Sequence, residues 1–356
     1  MKLSSVLQPL LAAAWASPVA GAVYDFSPET TGSYTTDLPT VLDLSASQLA
    51  SGTTTSYWTC SFVTASDNHQ YLALSITLWR AGIPITGGIL IDATDPSYVE
   101  RYTHAVPGAV APSDRGEPIL NATIGTSSIV ALTDDNVSVL RSISDYANLT
   151  FDLTFEATSP IVYQGGLGSF ALNGQRSYEW AIPAGRTTGS IVARGKKLTV
   201  DPKRSFTWYD RQWSVDDKDI PAVSGSSNYT WFQINLPTSR IKASIWAVDY
   251  AETGEQRRVA TFRYPDGGHL VLPYEFVPDS SSVYVSPRTQ ISYATKYTLK
   301  FPGRGSIKVS TIRQDQEVWS GDQGTWEGFA EFEANVLGFR EKGFGVLEII
   351  PALETA

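Results

Sequence analysis

The alternation of apolar and polar residues is the clearest pattern in this chain, and it predicts β-strands. Between Tyr71 and Trp79, every second residue from Leu72 to Leu78 is a leucine or an isoleucine. A period of two sustained over this length is typical of a strand. In Leu149–Glu156 the apolar face alternates with an acidic and polar one, as expected for a strand that is buried on one side.

Similar short strands recur along the chain, separated by turn-forming residues. They are predicted over residues 88–92, 127–132, 137–143, 229–236, 241–250, 257–264, 270–274, 289–293, 298–301, 307–312, 325–336 and 344–350. Val41–Leu49 is the one helix-like piece, within an arm rich in Ser, Thr and Pro that we expect to wrap the first sheet. No long segment holds a period of 3.6. The sequence therefore predicts an all-β barrel or sandwich, with a boundary between halves near residue 200.

The stretch Phe206–Ser214 concentrates chemically active side chains. Its six central residues are Trp208, Tyr209, Asp210, Arg211, Gln212 and Trp213. In a strand, the even-numbered side chains would share one face and the odd-numbered ones the other. A carboxylate between indoles loses hydration, which raises its pKa unless a cation or a hydrogen bond offsets the loss. Asp210 is therefore a candidate proton donor or acceptor. An Asp–Arg pair that only holds a strand end is the structural alternative.

This stretch also resembles the W-x-D-x-Q-W signature of the lipocalin-like family that includes hydroxyneurosporene synthase and AttH-type proteins, kievitone hydratase and fungal natural-product Diels–Alderases. Three other segments agree with that family: Ser56-Tyr57-Trp58, Thr325-Trp326-Glu327-Gly328 and Gly343-Phe344-Gly345-Val346-Leu347-Glu348. The resemblance implies two consecutive lipocalin-like (calycin-type) barrels or sandwiches, over residues 23–200 and 201–356. It also implies a ligand cavity in or between them.

Charge and residue spacing argue against several other functions. The net charge of −9 disfavours nucleic acids and anionic membranes as partners. His69, His104 and His269 lie far apart, and none has a second His or Cys at ligand spacing, so no metal site is expected. The chain has neither a nucleophile elbow nor a phosphate-binding loop, which disfavours a serine hydrolase and a nucleotide cofactor. The 12% aromatic content suits a hydrophobic small-molecule ligand instead.

The N-terminus predicts entry into the secretory pathway. Residues 1–22 have the pattern of a signal peptide, with an apolar run too short to span a bilayer and then Ala20-Gly21-Ala22. Four sequons predict glycosylation, at Asn121, Asn136, Asn148 and Asn228. Cys60 is the only cysteine, which excludes an intrachain disulfide, and its apolar strand predicts a buried, inert thiol.

The family resemblance implies a secreted, cofactor-free enzyme of fungal secondary metabolism that acts on a hydrophobic polyketide or terpenoid. The first hypothesis is a Diels–Alder or hetero-Diels–Alder cyclisation, with or without dehydration. Asp210 would be the acid or base, and Arg211 or Gln212 would orient it or bind a substrate carbonyl. The pocket would be lined by Trp58, Trp208, Tyr209, Trp213, Trp246, Trp326 and Glu327.

Three other functions fit the same residues. A hydratase would add water to a prenyl double bond, as the resemblance to kievitone hydratase implies. A glycoside hydrolase would pair Asp210 with Glu327 or Glu348. A carrier would bind an apolar metabolite without chemistry. Independently of the function, the structural alternative for Trp246 is an ordinary core indole, which we favour over a pocket residue. Replacing Asp210 by Asn distinguishes an enzyme from a carrier. An enzyme would keep its ligand and lose turnover, whereas a carrier would keep its ligand affinity and has no turnover to lose.

Overall fold

A computed structural model describes residues 24–146, 148–220, 227–321 and 323–351; the predicted signal peptide lies outside these ranges. The helical elements are α1 Leu44–Ser47, α2 Pro112–Arg115 and a 3₁₀ turn Gln164–Gly166. The strands are β1 Thr54–Ala65, β2 Gln70–Arg80, β3 Ile83–Asp92, β4 Val99–Ala105, β5 Asn121–Ile124, β6 Ser127–Ala131, β7 Val139–Tyr146, β8 Leu149–Glu156, β9 Val162–Tyr163, β10 Ser169–Leu172, β11 Gln175–Ala193, β12 Lys196–Val215, β13 Ser227–Leu236, β14 Ile241–Tyr250, β15 Gln256–Arg263, β16 His269–Leu272, β17 Glu275–Pro278, β18 Val283–Val285, β19 Ser292–Ala294, β20 Lys296–Phe301, β21 Gly305–Thr311, β22 Glu317–Ser320, β23 Gln323–Val336 and β24 Phe339–Ile350.

The strands form two large curled sheets, which confirms the predicted all-β class. The first sheet has the order β4-β3-β2-β1-β12-β11-β8-β7-β6-β5, with β9 and β10 also paired to β11. The second has the order β16-β15-β14-β13-β24-β23-β21-β20-β17, with β22 beside β23, and β18 pairs with β19 separately. Every pair is antiparallel, as short connections between neighbouring strands favour.

The apolar residues on both faces of the central strands explain how the sheets pack. In β1, Trp58 and Phe62 face the second sheet, within a core shared by both sheets. Tyr57 and Val63 point the other way, into the concave interior of their own sheet. The second sheet likewise encloses a core of its own. Large apolar side chains on both faces of a strand therefore indicate that other parts of the protein pack against each face.

The N-terminal arm joins the two sheets rather than wrapping only the first. The backbone N–H of Tyr24 donates to Gln70 on β2, and its hydroxyl donates to Glu331 on β23. Phe26 is buried among phenylalanines from both sheets. Within the predicted helical segment 41–49, only Leu44–Ser47 forms a helix, and Asp43 caps its N-terminus.

Residue 200 lies inside β12, so the chain passes from the first sheet to the second later than the predicted boundary. All of β12 pairs within the first sheet, and the second sheet begins at Ser227. The segment 183–189, which contains a proline and two glycines, lies within β11. Register shifts between Ile182 and Gly185 and between Arg186 and Ser190 accommodate its proline and glycines without ending the strand.

The glycine-rich segment near the C-terminus allows β24 to approach β13 closely. A Cβ on Gly345 would lie 1.8 Å from the carbonyl oxygen of Gln233, and one on Gly343 would lie 2.4 Å from that of Asn235. Because these contacts are to backbone, a side chain can be accommodated only if the strands separate.

We expect Gly345→Ala to destabilise the fold by about 3 kcal/mol, since overpacking at a backbone contact forces the strands apart. Urea unfolding measures the change. The matched control is Gly268→Ala, because the nearest atom there is a side-chain oxygen of Asp266 at 3.2 Å. Equal effects of the two substitutions would contradict the close-approach explanation.

Candidate active site

Strand register brings functional side chains of the first sheet into one row across four strands. Directly paired residues in antiparallel strands project from the same face. This row, called the Asp210 row, consists of Ile76, Trp58, Asp210 and Ala181. The next row towards the strand ends consists of Leu78, Ser56, Gln212 and Glu179. Two carboxylic acids therefore lie on adjacent rows of one sheet face.

The second sheet presents a matching row on its facing side. This row, called the Glu348 row, consists of Trp246, Trp231, Glu348 and Glu327. Its neighbouring row contains Val248, Tyr229 and Ile350. Trp58 of the first sheet contacts Trp231 of the second edge to face, with ring centroids 5.2 Å apart. The two rows therefore lie opposite each other across the interface between the sheets.

A pocket of about 540 Å³, including its opening to solvent, lies between these rows. Its apolar lining consists of Trp58, Ile76, Leu78, Tyr229, Trp231, Trp246 and Ile350. Its polar lining consists of Thr54, Ser56, Arg80, Glu179, Asp210, Gln212 and Glu348. An apolar pocket with a few convergent polar groups is the usual form of a small-molecule site.

Burial favours the protonated forms of the two acids of the first sheet. Burial raises the pKa of Asp210 well above its ordinary range, and the neighbouring Glu348 carboxylate raises it further. Burial also raises the pKa of Glu179, with a contribution from Asp210. Among the described residues, Asp210 Oδ1 has no hydrogen-bond partner, although the side chain is only 6% exposed. Asp210 thus lines the pocket with one carboxyl oxygen that no described protein group binds.

Glu348 differs because it titrates near neutrality. Burial raises its pKa from 4.5 to about 7, while the Tyr229 hydroxyl and the positive charge of Arg80 limit the rise. The Tyr229 hydroxyl donates to Glu348 Oε1 at 2.8 Å. Glu327 is paired directly opposite Glu348 on β23, and its pKa is raised by burial and by that neighbouring charge. One carboxylate of the pair can therefore ionise at neutral pH.

This pKa makes stability depend on pH in a defined direction. Between pH 4.5 and about 7, the folded protein keeps the Glu348 proton that the unfolded chain releases, so stability falls as pH rises. We expect Glu348→Gln to be up to about 3 kcal/mol more stable than the natural protein at pH 8, and equal to it at pH 4. Urea unfolding at both pH values measures this. A difference that does not change with pH would contradict the raised pKa.

A hydrogen-bonded network fixes Glu179. Gln164 Nε2 donates to Glu179 Oε1 at 3.0 Å and also contacts Ser244 Oγ. Ser244 in turn accepts from the Trp231 indole N–H at 2.6 Å. Glu179 belongs to the first sheet and Gln164 to the 3₁₀ turn between β9 and β10 of that sheet, whereas Ser244 and Trp231 belong to the second sheet. This network therefore also holds the facing walls of the pocket together.

Four of the predicted site residues line the pocket: Asp210, Gln212, Trp58 and Trp246. Trp208 lies beside Asp210 on the same face but is fully buried and does not line the pocket. Glu327 is paired with Glu348 on the neighbouring strand and does not line the pocket; burial and the charge of Glu348 raise its pKa. The predicted alternation of faces is confirmed by this arrangement.

Arg211, Tyr209 and Trp213 point away from the pocket, so their assignment to the site was wrong. The Arg211 guanidinium donates to the backbone carbonyls of Ser47, Ala50, Ser56 and Gln212 and packs over the rings of Tyr57 and Trp213. Tyr209 donates to the Gln48 side chain. The odd-numbered face of β12 thus anchors the segment around α1. Trp326 is also misassigned, because it packs in the separate core of the second sheet.

Glu179, Tyr229, Trp231 and Arg80 line the pocket but were not identified from the sequence. Tyr178-Glu179-Trp180 is an acid between two aromatics, the same signal that pointed to Asp210. Glu348 was considered only as half of a glycosidase pair. Its role beside Asp210 depends on the packing of one sheet against the other, which no local pattern reveals.

Other sequence-based expectations concern individual positions. Cys60 is buried as predicted, and burial raises the pKa of its thiol. The Asn136 sequon was a wrong prediction, because that side chain is 3% exposed and its amide donates to the Pro118 carbonyl. Asn148 and Asn228 are exposed and Asn121 is half-buried, so glycosylation there stays a prediction.

Within the described ranges, no group of three or more His, Cys, Asp or Glu side chains is arranged to hold a metal ion. In the same part of the chain, no helix has the length and apolar character needed to cross a membrane.

The fold and pocket define a two-sheet β-protein with a buried cluster of acids at a small-molecule site. The chain belongs to the AttH-like family, whose model matches residues 109–350. It is 33% identical to kievitone hydratase of Fusarium solani subsp. phaseoli over 92% of this chain and 91% of that protein. It is 30% identical to dehydratase asqC of Emericella nidulans over 97% and 99% of the two chains. The crystal structure of kievitone hydratase from Nectria haematococca superposes with a TM-score of 0.81 and 31% identity, covering 92% of this chain and 98% of that one.

Proposed function

We propose that this protein catalyses the addition or removal of water at a carbon–carbon double bond of a hydrophobic secondary metabolite. The observation that carries the proposal is the pairing of Asp210, a buried acid whose pKa is raised, with Glu348, whose pKa is about 7, on opposite walls of an aromatic pocket. General acid–base catalysis needs one group of each kind near the working pH. The names of the two relatives, a hydratase and a dehydratase, support the same reaction class.

In the hydration direction, Asp210 donates its proton to one alkene carbon, and positive charge develops on the other. The Glu348 carboxylate takes a proton from the attacking water as the new carbon–oxygen bond forms. The dehydration direction reverses these steps: protonated Glu348 donates its proton to the leaving hydroxyl, and the Asp210 carboxylate removes the proton from the neighbouring carbon. Both directions transfer one proton in and one out, so the overall charge of the pocket is conserved.

The aromatic walls contribute to the same step. Trp58 and Trp231 on facing sheets, together with Trp246, surround the space beside the two acids. The negative face of an aromatic ring stabilises a cation by about 0.5 to 2 kcal/mol, so a developing carbocation is favoured there. These rings also exclude bulk water, which limits the reaction to a water molecule positioned near Glu348.

Oxygen exchange tests the proposal in both directions. An aromatic compound with a tertiary prenyl alcohol is incubated with the protein in water enriched in ¹⁸O, and the alcohol is analysed by mass spectrometry. We expect enzyme-dependent incorporation of ¹⁸O, and loss of at least about 100-fold in its rate for Glu348→Gln, because the base is absent. The corresponding alkene measures the hydration direction directly.

A carrier gives a different result in the same experiment. It would quench tryptophan fluorescence when the alcohol binds but would exchange no oxygen. Binding without exchange over a panel of such alcohols and alkenes would overturn the proposed function.

Cyclisation, secretion and independence of a cofactor remain predictions. Loss of water from a hydroxymethyl phenol or a tropolone would generate a heterodiene, which the same pocket could hold for a hetero-Diels–Alder reaction. Dehydration is therefore the step on which such a cyclisation would depend. Secretion follows from the predicted signal peptide at residues 1–22, which lies outside the described residues.

A further inference from the structure

We propose that Arg80 at the pocket opening binds an ionised oxygen of the substrate, so that the protein prefers acidic metabolites: molecules with a carboxylate, phenolate or enolate at one end and an apolar reacting end. This inference rests on the proposed function for the identity of the pocket as the substrate site. It adds the chemical class of the substrate and a residue that selects it.

The register of β2 places Arg80 at the outer end of the pocket. Leu72, Leu74, Ile76, Leu78 and Arg80 follow one another along the strand face that points towards the second sheet. The first four are apolar, and Arg80 is the exposed residue at the end of the strand. Arg80 is paired with Thr54, which also lines the pocket. The cation therefore marks the opening, while the apolar residues lead inward.

The guanidinium of Arg80 faces the pocket rather than only the solvent. Burial raises the pKa of Glu348 and of Tyr229, which lie on two strands of the opposite sheet, and the charge of Arg80 limits both rises. Among the described residues, Arg80 forms neither an ion pair nor a side-chain hydrogen bond, although the other arginines near the facing sheets, such as Arg101 and Arg258, pair with aspartates. Arg80 is also the only basic side chain that lines this pocket. It is thus available to an anionic ligand.

The acids of the pocket explain why an anionic group would bind at the opening. Glu179, Asp210 and Glu348 line the interior, and a second negative charge placed beside them would be repelled whenever one of them ionises. At the opening the same group meets a cation in partly exposed surroundings, where a guanidinium binds an oxyanion through two hydrogen bonds. The arrangement therefore orients an amphipathic molecule with its apolar end inward.

Strand geometry limits the size of such a molecule. The Asp210 row is separated from the Arg80–Thr54 row by four residue steps along β1, from Thr54 to Trp58. At 3.3 Å per residue this separation is about 13 Å. The acidic group and the reacting carbon should therefore lie no more than about 13 Å apart, a span that suits a substituted aromatic ring with a short prenyl or alkenyl chain.

Matched ligands test the proposal by binding alone. The probes are 4-hydroxy-3-prenylbenzoic acid and its methyl ester, which differ in charge but not in their apolar part. Quenching of tryptophan fluorescence at pH 7.5 gives both dissociation constants, since Trp58 and Trp246 line the pocket. We expect the natural protein to bind the acid about tenfold more tightly than the ester. Arg80→Gln should remove this preference and leave ester binding unchanged, and Arg80→Lys should retain part of it.

The control variant is Arg186→Gln, because Arg186 is exposed and pairs with Glu156 far from the pocket. It should keep the full preference. Equal binding of acid and ester by the natural protein would overturn the inference, as would equal weakening of both ligands in Arg80→Gln. Because the assay needs no turnover, a preference for the acid without ¹⁸O exchange would contradict the proposed function but leave the role of Arg80 intact.

Discussion

Replacing Asp210 by Asn should lower the turnover rate by about 10² to 10⁴-fold and change substrate affinity by only a few-fold. The large loss is expected because the amide has the same shape but no acidic proton, and a positioned general acid contributes about that factor. Stability should change little, since burial raises the pKa of Asp210 and so favours the neutral form of the side chain, which the amide resembles. Turnover kinetics, ligand quenching and thermal unfolding of the same preparation measure the three quantities.

Asp152→Asn is the matched control, because Asp152 pairs with Arg141 on the surface, and both side chains are well exposed. It should leave turnover unchanged. If Asp210→Asn turned over substrate at the natural rate, Asp210 would not be the acid. The proton would then have to come from Glu179, which lies on the adjacent row and whose pKa is also raised by burial. Glu179→Gln distinguishes these cases.

Arg211→Met should destabilise the fold by about 3 to 5 kcal/mol. The guanidinium is fully buried and donates to four backbone carbonyls, which the methionine would leave without donors. Loss of a buried charged hydrogen-bonding group costs energy on this scale. Thermal or urea unfolding measures it, and a drop of roughly 10 °C in the melting temperature is expected.

Arg186→Met provides the comparison, since its exposed ion pair with Glu156 should contribute no more than about 1 kcal/mol. Arg211→Lys separates a structural role from a catalytic one. Lysine cannot donate to four carbonyls at once, so this variant should lose stability but keep the pH dependence of the remaining turnover. A variant that kept its stability and lost its turnover would return Arg211 to the catalytic site.

These two predictions concern opposite faces of one strand: Asp210 on one face borders the pocket, and Arg211 on the other face stabilises the fold. The strand and its alternation were readable from Phe206–Ser214, so the separation of Asp210 from Arg211 followed directly. Which face bordered a cavity was not readable, because both faces of β12 are buried and both carry aromatic residues. Arg211 was therefore assigned to the site although it holds the segment around α1.

Strand boundaries show a similar limit. The predicted strand over residues 241–250 matches β14, in which every residue except the half-buried Asp249 is buried. The segment 289–293 was predicted as a strand, but β19 begins only at Ser292. The chain before it turns because Ser286 and Thr289 donate side-chain hydrogen bonds to the buried Glu317 carboxylate. Such a contact joins residues about 30 positions apart, and a period-two pattern does not contain it.

The amino-acid sequence by itself determined the all-β class, most strand positions, the burial of Cys60 and the candidacy of Asp210, because alternation and local composition act over a few neighbouring residues. Only the tertiary structure decided that the pocket lies between the two sheets, that Glu348 and Glu179 accompany Asp210, and that Arg80 stands at the opening. The physical reason is that burial, charge proximity and cavities arise from the register of paired strands and the docking of one sheet on the other. Glu348 lies 138 positions from Asp210 along the chain, and its charge raises the pKa of Asp210 only because that docking has brought the two residues together.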